Sequence, residues 1–236
     1  MADDANPVLL ITGASSGIGA TTARHAAEAG YRVVLGARRE DRLQALAEQL
    51  GGSGRALAVH CDVTEWEDNQ ALATAALDAF GRIDAVFANA GFGAKRGFLE
   101  ESPEYWRSMV LTNVLGVALT IRATLPHLLE RGSGHFLITS SVAGRRALPG
   151  SLYSATKWAV TAMGEALRAE LRQMHDNTGI RVTLIEPGMT DTEFFDQRPQ
   201  NALADDDVAR AAIYALTQPD HVDVNEILIR PTSQGG

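Results

Sequence analysis

The sequence predicts an α/β fold in which a parallel sheet is covered by helices on both faces. Seven short apolar segments alternate along the chain with longer, alanine-rich stretches of helical pattern. Several of the apolar segments are continuous rather than alternating, which is typical of strands buried on both faces. Strand–helix alternation of this kind produces βαβ crossovers. The 236 residues contain no internal repeat, linker or shift in composition, so we expect one domain over residues 1–236.

Local sequence signals mark where several of the predicted helices begin or end. A serine and a proline at 102–103 mark a helix start, and Thr64 with Glu67 has the spacing of a capping box. The "GGSG" at 51–54 is a helix-ending loop. The predicted strands are 8–12, 32–37, 56–60, 83–89, 135–140, 181–186 and 226–230. The predicted helices lie near 17–29, 40–50, 64–80, 102–130, 152–175 and 205–217.

Composition and charge exclude several classes of protein. The chain is 45% hydrophobic with a formal net charge of −8, which favours a globular core and argues against nucleic acid as a main partner. It has no continuous run of 18 apolar residues and no signal-peptide pattern at its N-terminus, so we expect no membrane contact. The one cysteine, Cys61, is interpreted as a strand-end hydrophobe rather than a nucleophile. These features predict a reducing, cytoplasmic setting.

A glycine-rich loop follows the first strand directly. Residues 12–19 read "TGASSGIG", with glycines at 13, 17 and 19. The loop is not a Walker A loop, because no Gly-Lys-Ser/Thr follows, and its spacing differs from G-x-G-x-x-G. Gly13 permits a tight turn, while Gly17 and Gly19 let backbone and helix approach a pyrophosphate at the positive end of the helix. A dinucleotide site is therefore predicted; a glycine-rich turn without a ligand is the alternative.

The end of the second predicted strand carries arginines where dinucleotide-binding folds commonly have an acid. The segment reads "VVLGARRED", with Ala37 followed by Arg38 and Arg39. No carboxylate stands there to repel a 2′-phosphate, and two guanidinium groups could hold one through charge-assisted hydrogen bonds. This pattern predicts NADP(H) rather than NAD(H), with Arg38 favoured over Arg39 as the phosphate ligand. Solvated surface charges are the alternative.

Tyr153 and Lys157 form a candidate catalytic pair. Lys157 is one of only two lysines among 21 basic residues, and it lies four residues after the tyrosine on a predicted helix. The two side chains should therefore share a face. We expect the ammonium to stabilise the phenolate and lower the pKa of Tyr153 by about 2–3, which would make it a general acid/base for a carbonyl or alcohol oxygen. A compact ammonium could also hold a ribose hydroxyl, which a guanidinium does poorly.

A tyrosine and a lysine at this spacing also occur by chance in helices, so their setting decides the interpretation. The pair follows strand 135–140, which puts the start of its helix at the carboxyl edge of the sheet, where ligands bind. That strand ends in "TSSVAG", which offers Ser140 as a donor to the same substrate oxygen. The other three tyrosines have no lysine at this offset.

Six motifs of the chain resemble the short-chain dehydrogenase/reductase family, and they occur in that family's order. They are "TGASSGIG", "NAG" at 89–91, Asn113 in "LTNVLG", "ITSSVAG", "YSATK" and "PG" at 187–188. The resemblance covers essentially the whole chain. It implies a single doubly wound Rossmann-type domain with a seven-stranded parallel sheet. It also implies an oxidoreductase that interconverts a carbonyl and a secondary alcohol.

The resemblance implies roles for individual residues. Tyr153 would exchange the proton, Lys157 would hold the nicotinamide ribose and tune the phenol, and Asn113 would position a water in a proton relay. Ser140 would orient the carbonyl; it is preferred to Ser141 because the family usually has this serine thirteen residues before the tyrosine. The implied cofactor-binding residues are Gly13, Ser15, Ser16, Gly17, Ile18, Gly19, Arg38, Arg39, Asp62, Val63, Asn89, Ala90, Gly91, Tyr153, Lys157, Pro187, Gly188, Thr190 and Thr192.

The substrate end of the site is less specified. A short segment at 193–207 predicts an open pocket, with walls formed by Phe92, Gly93, Val142, Leu148 and Phe194. Arg145 and Arg146 could recognise a substrate carboxylate, or be solvated or subunit-contacting charges. The segments "VNEILIRPTSQ" and "IEPGMTDTEF" are similar to family members that act on 3-hydroxy acids such as serine, and to others that make secondary-metabolite alcohols.

Two expectations concern the whole protein. Apolar residues on more than one face of the long helices 102–130 and 152–175 favour a homodimer or homotetramer; a broad core-facing stripe is the alternative. The leading function is an NADP(H)-dependent oxidoreductase acting on a small carbonyl or hydroxyl substrate without a metal. The competing hypothesis is a non-catalytic NADP(H)-binding regulator on the same fold.

Overall fold

The computed structural model describes residues 6–177, 179–192 and 200–234. Its main sheet has seven strands in the order β3-β2-β1-β4-β5-β6-β9, and all neighbouring strands pair in parallel. The strands of this sheet are β1 Val8–Thr12, β2 Arg32–Ala37, β3 Ala56–His60, β4 Ala85–Ala88, β5 Gly134–Thr139, β6 Ile180–Pro187 and β9 Glu226–Ile229. The predicted fold class is confirmed, and each of the seven predicted strands is present.

The chain reverses its direction of travel across the sheet between β1 and β4. From β1 it proceeds outward through β2 and β3, and it then returns to place β4 on the other side of β1. In open α/β sheets this switch point leaves a crevice outside the carboxyl ends of the strands. The loops after β1 and β4 therefore face each other across this crevice.

The helices match the predicted helices except in the longest one. They are α1 Gly17–Glu28, α2 Glu40–Gln49, α3 Trp66–Phe80, α4 Pro103–Val110, α5 Val117–Arg131, α6 Leu152–Gln173 and α7 Asp205–Leu216. A π-helical turn at Leu111–Gly116 joins α4 to α5, so the predicted helix 102–130 is continuous but widened at its middle. Short 3₁₀ turns lie at Gly52–Gly54 and Val142–Gly144.

Helix caps show one correct and one wrong prediction. Ser102 caps α4 as expected, because its hydroxyl accepts a hydrogen bond from the Tyr105 N–H at 3.2 Å and Pro103 occupies the first turn. The capping box at Thr64 is wrong. α3 begins at Trp66, and the Thr64 hydroxyl instead donates to Asp62 Oδ1 at 2.8 Å. The nearby carboxylate offers a stronger partner than the backbone of the helix start.

The core lies on both faces of the sheet. One hydrophobic cluster combines β-strand side chains with those of α3, α5 and α6, and a second combines them with α1, α2 and α7. Within β1, Leu10 belongs to the first cluster, and Leu9 and Ile11 belong to the second. All five β1 residues are buried. This two-sided burial is the physical reason for the continuous apolar runs in the sequence.

The stretch Pro103–Arg131 is long and apolar enough to cross a membrane by length and composition alone. In this fold it packs against the sheet and buries the polar side chains of Asn113, Thr120 and Thr124. Core helices of globular proteins commonly pass the same test. The absence of membrane contact therefore stays a prediction.

A second, small sheet was not predicted. β7, Thr190–Asp191, pairs in parallel with β8, Leu203–Ala204. Two-residue strands are too short to show a pattern in the sequence. The pair connects the end of β6 to the start of α7, next to the crevice.

Candidate active site

A cleft of about 600 Å³ opens at the carboxyl edge of the sheet. It is lined by the loops that follow β1, β2, β3, β4, β5 and β6, together with the start of α6. All of the predicted cofactor-binding residues line it except Gly19. The topology therefore brings together residues that are up to about 180 positions apart in the sequence.

The glycine loop after β1 forms the floor of one end. Gly13 and Gly17 have φ of +68° and +51°, the left-handed region that favours glycine. A Cβ on Gly13 would lie 2.9 Å from Ala90 Cα, and one on Gly19 would lie 2.4 Å from the Gly13 carbonyl oxygen. Gly19 is thus needed for packing behind the loop rather than for contact with a ligand. Ser16 makes no side-chain cap on α1, so the positive end of this helix faces the cleft.

The loop is fixed to the "NAG" segment after β4. The Thr12 hydroxyl accepts hydrogen bonds from the N–H groups of Asn89 and Ala90 at 3.1 and 3.2 Å. The Asn89 side chain donates to the Thr12 carbonyl and accepts from the Thr139 hydroxyl. Three strand ends are thereby locked in register around the crevice. Such a rigid, glycine-walled groove next to a helix start fits the pyrophosphate of a dinucleotide.

The two arginines after β2 lie at the same end of the cleft but are held differently. The Arg39 guanidinium donates to the hydroxyls of Ser15 and Ser16 at 3.0 and 2.6 Å, so it spans the glycine loop. Arg38 is 69% exposed and makes only a 3.8 Å ion pair with Asp62. Both line the cleft. Positive charge therefore stands where the sequence predicted a phosphate.

Cys61 behaves as the sequence predicted. It is buried in the core under the cleft, and burial, together with the nearby Asp68 and Asp62 carboxylates, raises the pKa of its thiol to about 12. A thiol that stays protonated is a poor nucleophile. Among the described residues, no group of three or more His, Cys, Asp or Glu side chains forms a metal site.

Tyr153 and Lys157 project from the first two turns of α6 into the cleft. The helix starts here because Ser151 accepts a hydrogen bond from the Ser154 N–H at 3.1 Å. Lys157 Nζ donates to the Thr139 carbonyl at 2.7 Å and lies 5.8 Å from the centre of the Tyr153 ring. The i, i+4 spacing therefore places both groups in the same site, as predicted.

The expected direction of the tyrosine pKa is wrong for the free cleft. Burial raises the pKa of Tyr153 to about 12, and a hydrogen bond with Ser141 offsets part of that rise. Burial also lowers the pKa of Lys157 to about 8. The ammonium is bonded to the Thr139 carbonyl, and desolvation of the buried phenol is the largest influence on the pKa of Tyr153.

Both adjacent serines line the cleft, but it is Ser141, and not the predicted Ser140, that bonds to Tyr153. The Ser140 hydroxyl is buried against α6, where it bonds to the Thr161 hydroxyl at 2.8 Å and the Lys157 carbonyl at 3.2 Å. Ser141, one residue on, bonds to Tyr153 and to the Pro187 carbonyl. The 3₁₀ turn at Val142–Gly144 follows Ser141 directly.

Asn113 does not line the cleft. It is fully buried in the π-helical turn, where its side chain accepts from the Phe92 N–H at 3.0 Å and donates to the Phe92 carbonyl at 2.8 Å and to the Thr156 hydroxyl at 3.2 Å. Its carboxamide thus ties the segment after β4 to α6. π-helical turns are frequent at functional sites. Asn113 is thus buried beside the cleft rather than in it, and its implied water relay stays a prediction.

The substrate end differs from expectation. Phe92, Gly93, Val142 and Leu148 line the cleft as predicted, whereas Phe194 lies outside the described residues. Arg145 is 2.7 Å from the buried Glu186 and also pairs with Glu226. Neither Arg145 nor the exposed Arg146 lines the cleft.

Sequence reasoning missed several lining residues, among them Arg96, Met189 and Gln234. Arg96 and Met189 adjoin recognised motifs, so a search of the flanking positions would have reached them. Gln234 stands near the C-terminus and carries no local signal. Its place in the cleft depends on how β9 is positioned in the sheet.

The fold and this cleft define a Rossmann-type dinucleotide-binding domain with the chemical groups of an oxidoreductase. The family model described as short chain dehydrogenase matches residues 7–202, and the chain belongs to this family. An uncharacterized oxidoreductase from Listeria monocytogenes is 39% identical over 97% of this chain and 98% of its own length. The protein is therefore an oxidoreductase of a family that binds nicotinamide cofactors.

Solved structures agree. An alcohol dehydrogenase from Thermococcus sibiricus, complexed with 5-hydroxy-NADP, has a TM-score of 0.88 and 34% identity, with 98% of each chain covered. A serine dehydrogenase complexed with NADP⁺ has a TM-score of 0.90 and 31% identity over 97% of this chain and 96% of its own. A 3-ketoacyl-(acyl-carrier-protein) reductase from Brucella melitensis, complexed with NADH, has a TM-score of 0.84 and 30% identity over 95% and 97%.

Proposed function

We propose that this protein is an NADP(H)-dependent oxidoreductase that interconverts a carbonyl and a secondary alcohol on a small molecule. The observation that carries the proposal is the convergence of Ser141, Tyr153 and Lys157 in one cleft with the glycine loop. A hydroxyl donor, a phenol and a buried ammonium are the groups needed to bind and protonate a carbonyl oxygen. The cofactor would donate or accept the hydride.

Tyr153 is the general acid/base in this proposal. With a pKa near 12 in the free cleft, it is fully protonated at pH 7 and suited to donate a proton to a substrate oxygen. Ser141 is hydrogen-bonded to the phenol of Tyr153 and can orient the substrate oxygen. Lys157, with a pKa near 8, is mostly charged at pH 7, so its ammonium would stabilise the phenolate left after proton transfer.

The preference for NADP(H) is supported by charge. Arg38 and Arg39 line the end of the cleft after β2, and no carboxylate stands at the end of that strand. Charge-assisted hydrogen bonds from guanidinium groups suit a 2′-phosphate. The structures with NADP support the same choice, while the NADH complex keeps the alternative cofactor in the test below.

The substrate and setting are part of the proposal. The serine dehydrogenase and alcohol dehydrogenase neighbours make small hydroxy acids, ketones and aldehydes the substrates to screen first. The single, buried Cys61 supports a cytoplasmic location.

A Tyr153→Phe variant tests the function. The wild type should consume NADPH with at least one carbonyl of a broad panel, or reduce NADP⁺ with a small hydroxy acid. We expect Tyr153→Phe to lower kcat about 10²- to 10⁴-fold, the usual effect of losing a general acid. NADPH affinity, measured by fluorescence titration, should change less than about threefold because the ring is kept.

Tyr214→Phe is the matched control, since Tyr214 is 57% exposed on α7 and does not line the cleft. It should leave kcat unchanged. NADPH binding without turnover across the panel would overturn the proposal in favour of a non-catalytic binding protein.

A further inference from the structure

The C-terminal segment reaches the cleft at Gln234. After β9, the chain turns back through a hydrogen bond from the Gln234 N–H to the Pro231 carbonyl at 3.0 Å. This turn brings the Gln234 side chain to the wall that Pro187, Gly188, Met189 and Thr190 form. Gln234 is the last residue of the segment "VNEILIRPTSQ", to which the sequence analysis assigned no role in the cleft.

Gln234 bonds directly to that wall. Its Oε1 accepts a hydrogen bond from the Met189 N–H at 2.9 Å. The side chain also lies over Gly188, where an added Cβ would be 2.2 Å from Oε1. A Cβ at position 188 would therefore displace the Gln234 carboxamide from the turn.

The turn at 187–189 is held from several sides at once. The Gly188 N–H donates to the Ile229 carbonyl at 2.7 Å, and the Met189 carbonyl accepts from the Leu203 N–H at 2.9 Å. The Ser233 hydroxyl donates to the Asn201 carbonyl at 3.2 Å. Among the described residues, Gln234 is the only partner of the Met189 N–H. Its hydrogen bond therefore completes the set that holds the turn at 187–189, and we call this set the clamp.

We propose that Gln234 is a positioning residue for the nicotinamide end of the cofactor. It holds the Gly188–Met189 turn in the shape that presents Pro187, Gly188, Thr190 and Thr192 to the ligand. The inference rests on the proposed function, because that proposal assigns this end of the cleft to the nicotinamide. The Gln234 Nε2 has no hydrogen-bond partner among the described residues and is available as a donor to the ligand.

The chemistry of the side chain fits this role. A carboxamide is neutral, so it supports the positively charged ring of NADP⁺ and the neutral ring of NADPH without favouring either by charge. A carboxylate at the same place would keep the acceptor for the Met189 N–H but attract the oxidised ring. Substitution at position 234 can therefore separate the hydrogen bond to the Met189 N–H from the effect of charge on the ring.

Gln234→Met tests the clamp, because methionine keeps the length of the side chain and lacks the strong acceptor. Hydrogen–deuterium exchange of the free enzyme should show the Met189 amide exchanging at least about tenfold faster. Fluorescence titration should show a Kd for NADPH raised about 5- to 10-fold. Gln218→Met is the control: Gln218 bonds to the Tyr214 carbonyl after α7, away from the cleft, and both readouts should match the wild type.

Gln234→Glu tests the position of the side chain. It should restore the protection of the Met189 amide and raise the ratio of the NADPH Kd to the NADP⁺ Kd at least about threefold over the wild type. A purely structural role of the tail would leave this ratio unchanged.

Three outcomes would overturn the inference. If the Met189 amide is equally protected in Gln234→Met, Gln234 does not hold the turn. If the amide exchanges faster but the cofactor affinity is unchanged, the turn does not position the ligand. An unchanged Kd ratio in Gln234→Glu places the side chain away from the nicotinamide. Wild-type protein that binds neither cofactor overturns the proposed function, and this role with it; intact wild-type binding makes the first three outcomes specific to Gln234.

Discussion

At the scale of single residues, burial rather than charge pairing sets the protonation of the catalytic pair. Tyr153 and Lys157 are both shifted toward their neutral forms, with pKa values near 12 and 8. The buried Lys157 ammonium donates a hydrogen bond to the Thr139 carbonyl, and the Tyr153 phenol is hydrogen-bonded to Ser141. Both shifts agree with the proposed role of Tyr153 as a proton donor, because the phenol stays protonated at neutral pH.

The two adjacent serines provide the sharpest residue-level prediction. Ser141→Ala should lower kcat about 10²- to 10³-fold, because it removes a donor from the reacting oxygen. Ser140→Ala should leave kcat within about threefold but lower the free energy of unfolding by about 0.5–1.5 kcal/mol, since a buried hydrogen bond to the Thr161 hydroxyl is lost. Steady-state kinetics and urea unfolding separate the two effects. The opposite pattern would return the catalytic role to Ser140.

At the scale of elements, the end of β2 sets the cofactor preference in our proposal. Arg39 is committed to the glycine loop, whereas Arg38 is exposed and only weakly paired. Substituting Arg39 would disturb the loop as well as any phosphate contact. Arg38 is therefore the cleaner position at which to test cofactor choice.

Arg38→Asp should reduce the ratio of kcat/KM for NADPH to that for NADH about 10- to 100-fold, since one charge-assisted hydrogen bond is lost and a repulsive charge is added. The NADH value itself should change little. Arg42→Asp, an exposed position of α2 outside the cleft, is the charge-matched control. An unchanged ratio in Arg38→Asp would remove this arginine from cofactor recognition.

Strand β5 contains a histidine that makes stability depend on pH. Burial, together with the positive charge of Arg181, lowers the pKa of His135 to about 3. Its Nε2 bonds to the Thr183 hydroxyl on β6 at 2.7 Å, while that hydroxyl donates to the Val224 carbonyl. The folded state thus keeps the ring neutral, whereas the unfolded chain binds a proton below about pH 6.5.

The sign of the effect follows from this difference. Stability from neutral His135 is complete above about pH 6.5 and is lost as the pH falls toward 3. Relative to His135→Gln, which does not titrate, the wild type should lose about 2–3 kcal/mol between pH 7 and pH 4.5. Urea unfolding of both proteins at the two pH values measures it. Parallel losses in the two proteins would contradict the prediction.

At the scale of the whole molecule, the proposed oligomer rests on apolar side chains that the fold leaves uncovered. Val110, Leu111, Leu115 and Trp158 are 38–48% exposed on α4, the π-helical turn and α6. Both long helices also bury a face toward the sheet. The surplus apolar surface favours the predicted homodimer or homotetramer over a broad core stripe.

Leu115→Glu should shift the assembly toward a smaller species, because it places a charge in the proposed apolar interface. Light scattering coupled to size-exclusion chromatography measures the mass. Met174→Glu, at the 76% exposed C-terminal end of α6, should leave the mass unchanged. A wild type that runs as a monomer would contradict the oligomer.

Much of the architecture could be predicted because local patterns and tertiary burial agree here. Each main-sheet strand lies within two residues of its predicted ends, since burial on both faces demands continuous apolar residues. The strands β7 and β8 were not predicted because two residues are too few to show a periodic pattern of apolar side chains. The capping box at Thr64 failed because Asp62 competes for the hydroxyl.

The sequence by itself determined the fold class, the glycine loop and the pair Tyr153–Lys157, because each depends on spacing within one strand, turn or helix. Only the tertiary structure decided which serine bonds to the phenol, that Arg145 forms an ion pair with Glu186, and that Gln234 bonds to the Met189 N–H at the cleft wall. These contacts join elements far apart in the chain, and their geometry depends on how α6, β6 and β9 pack. The pKa of Tyr153 belongs to the same group, since desolvation is a property of the assembled site.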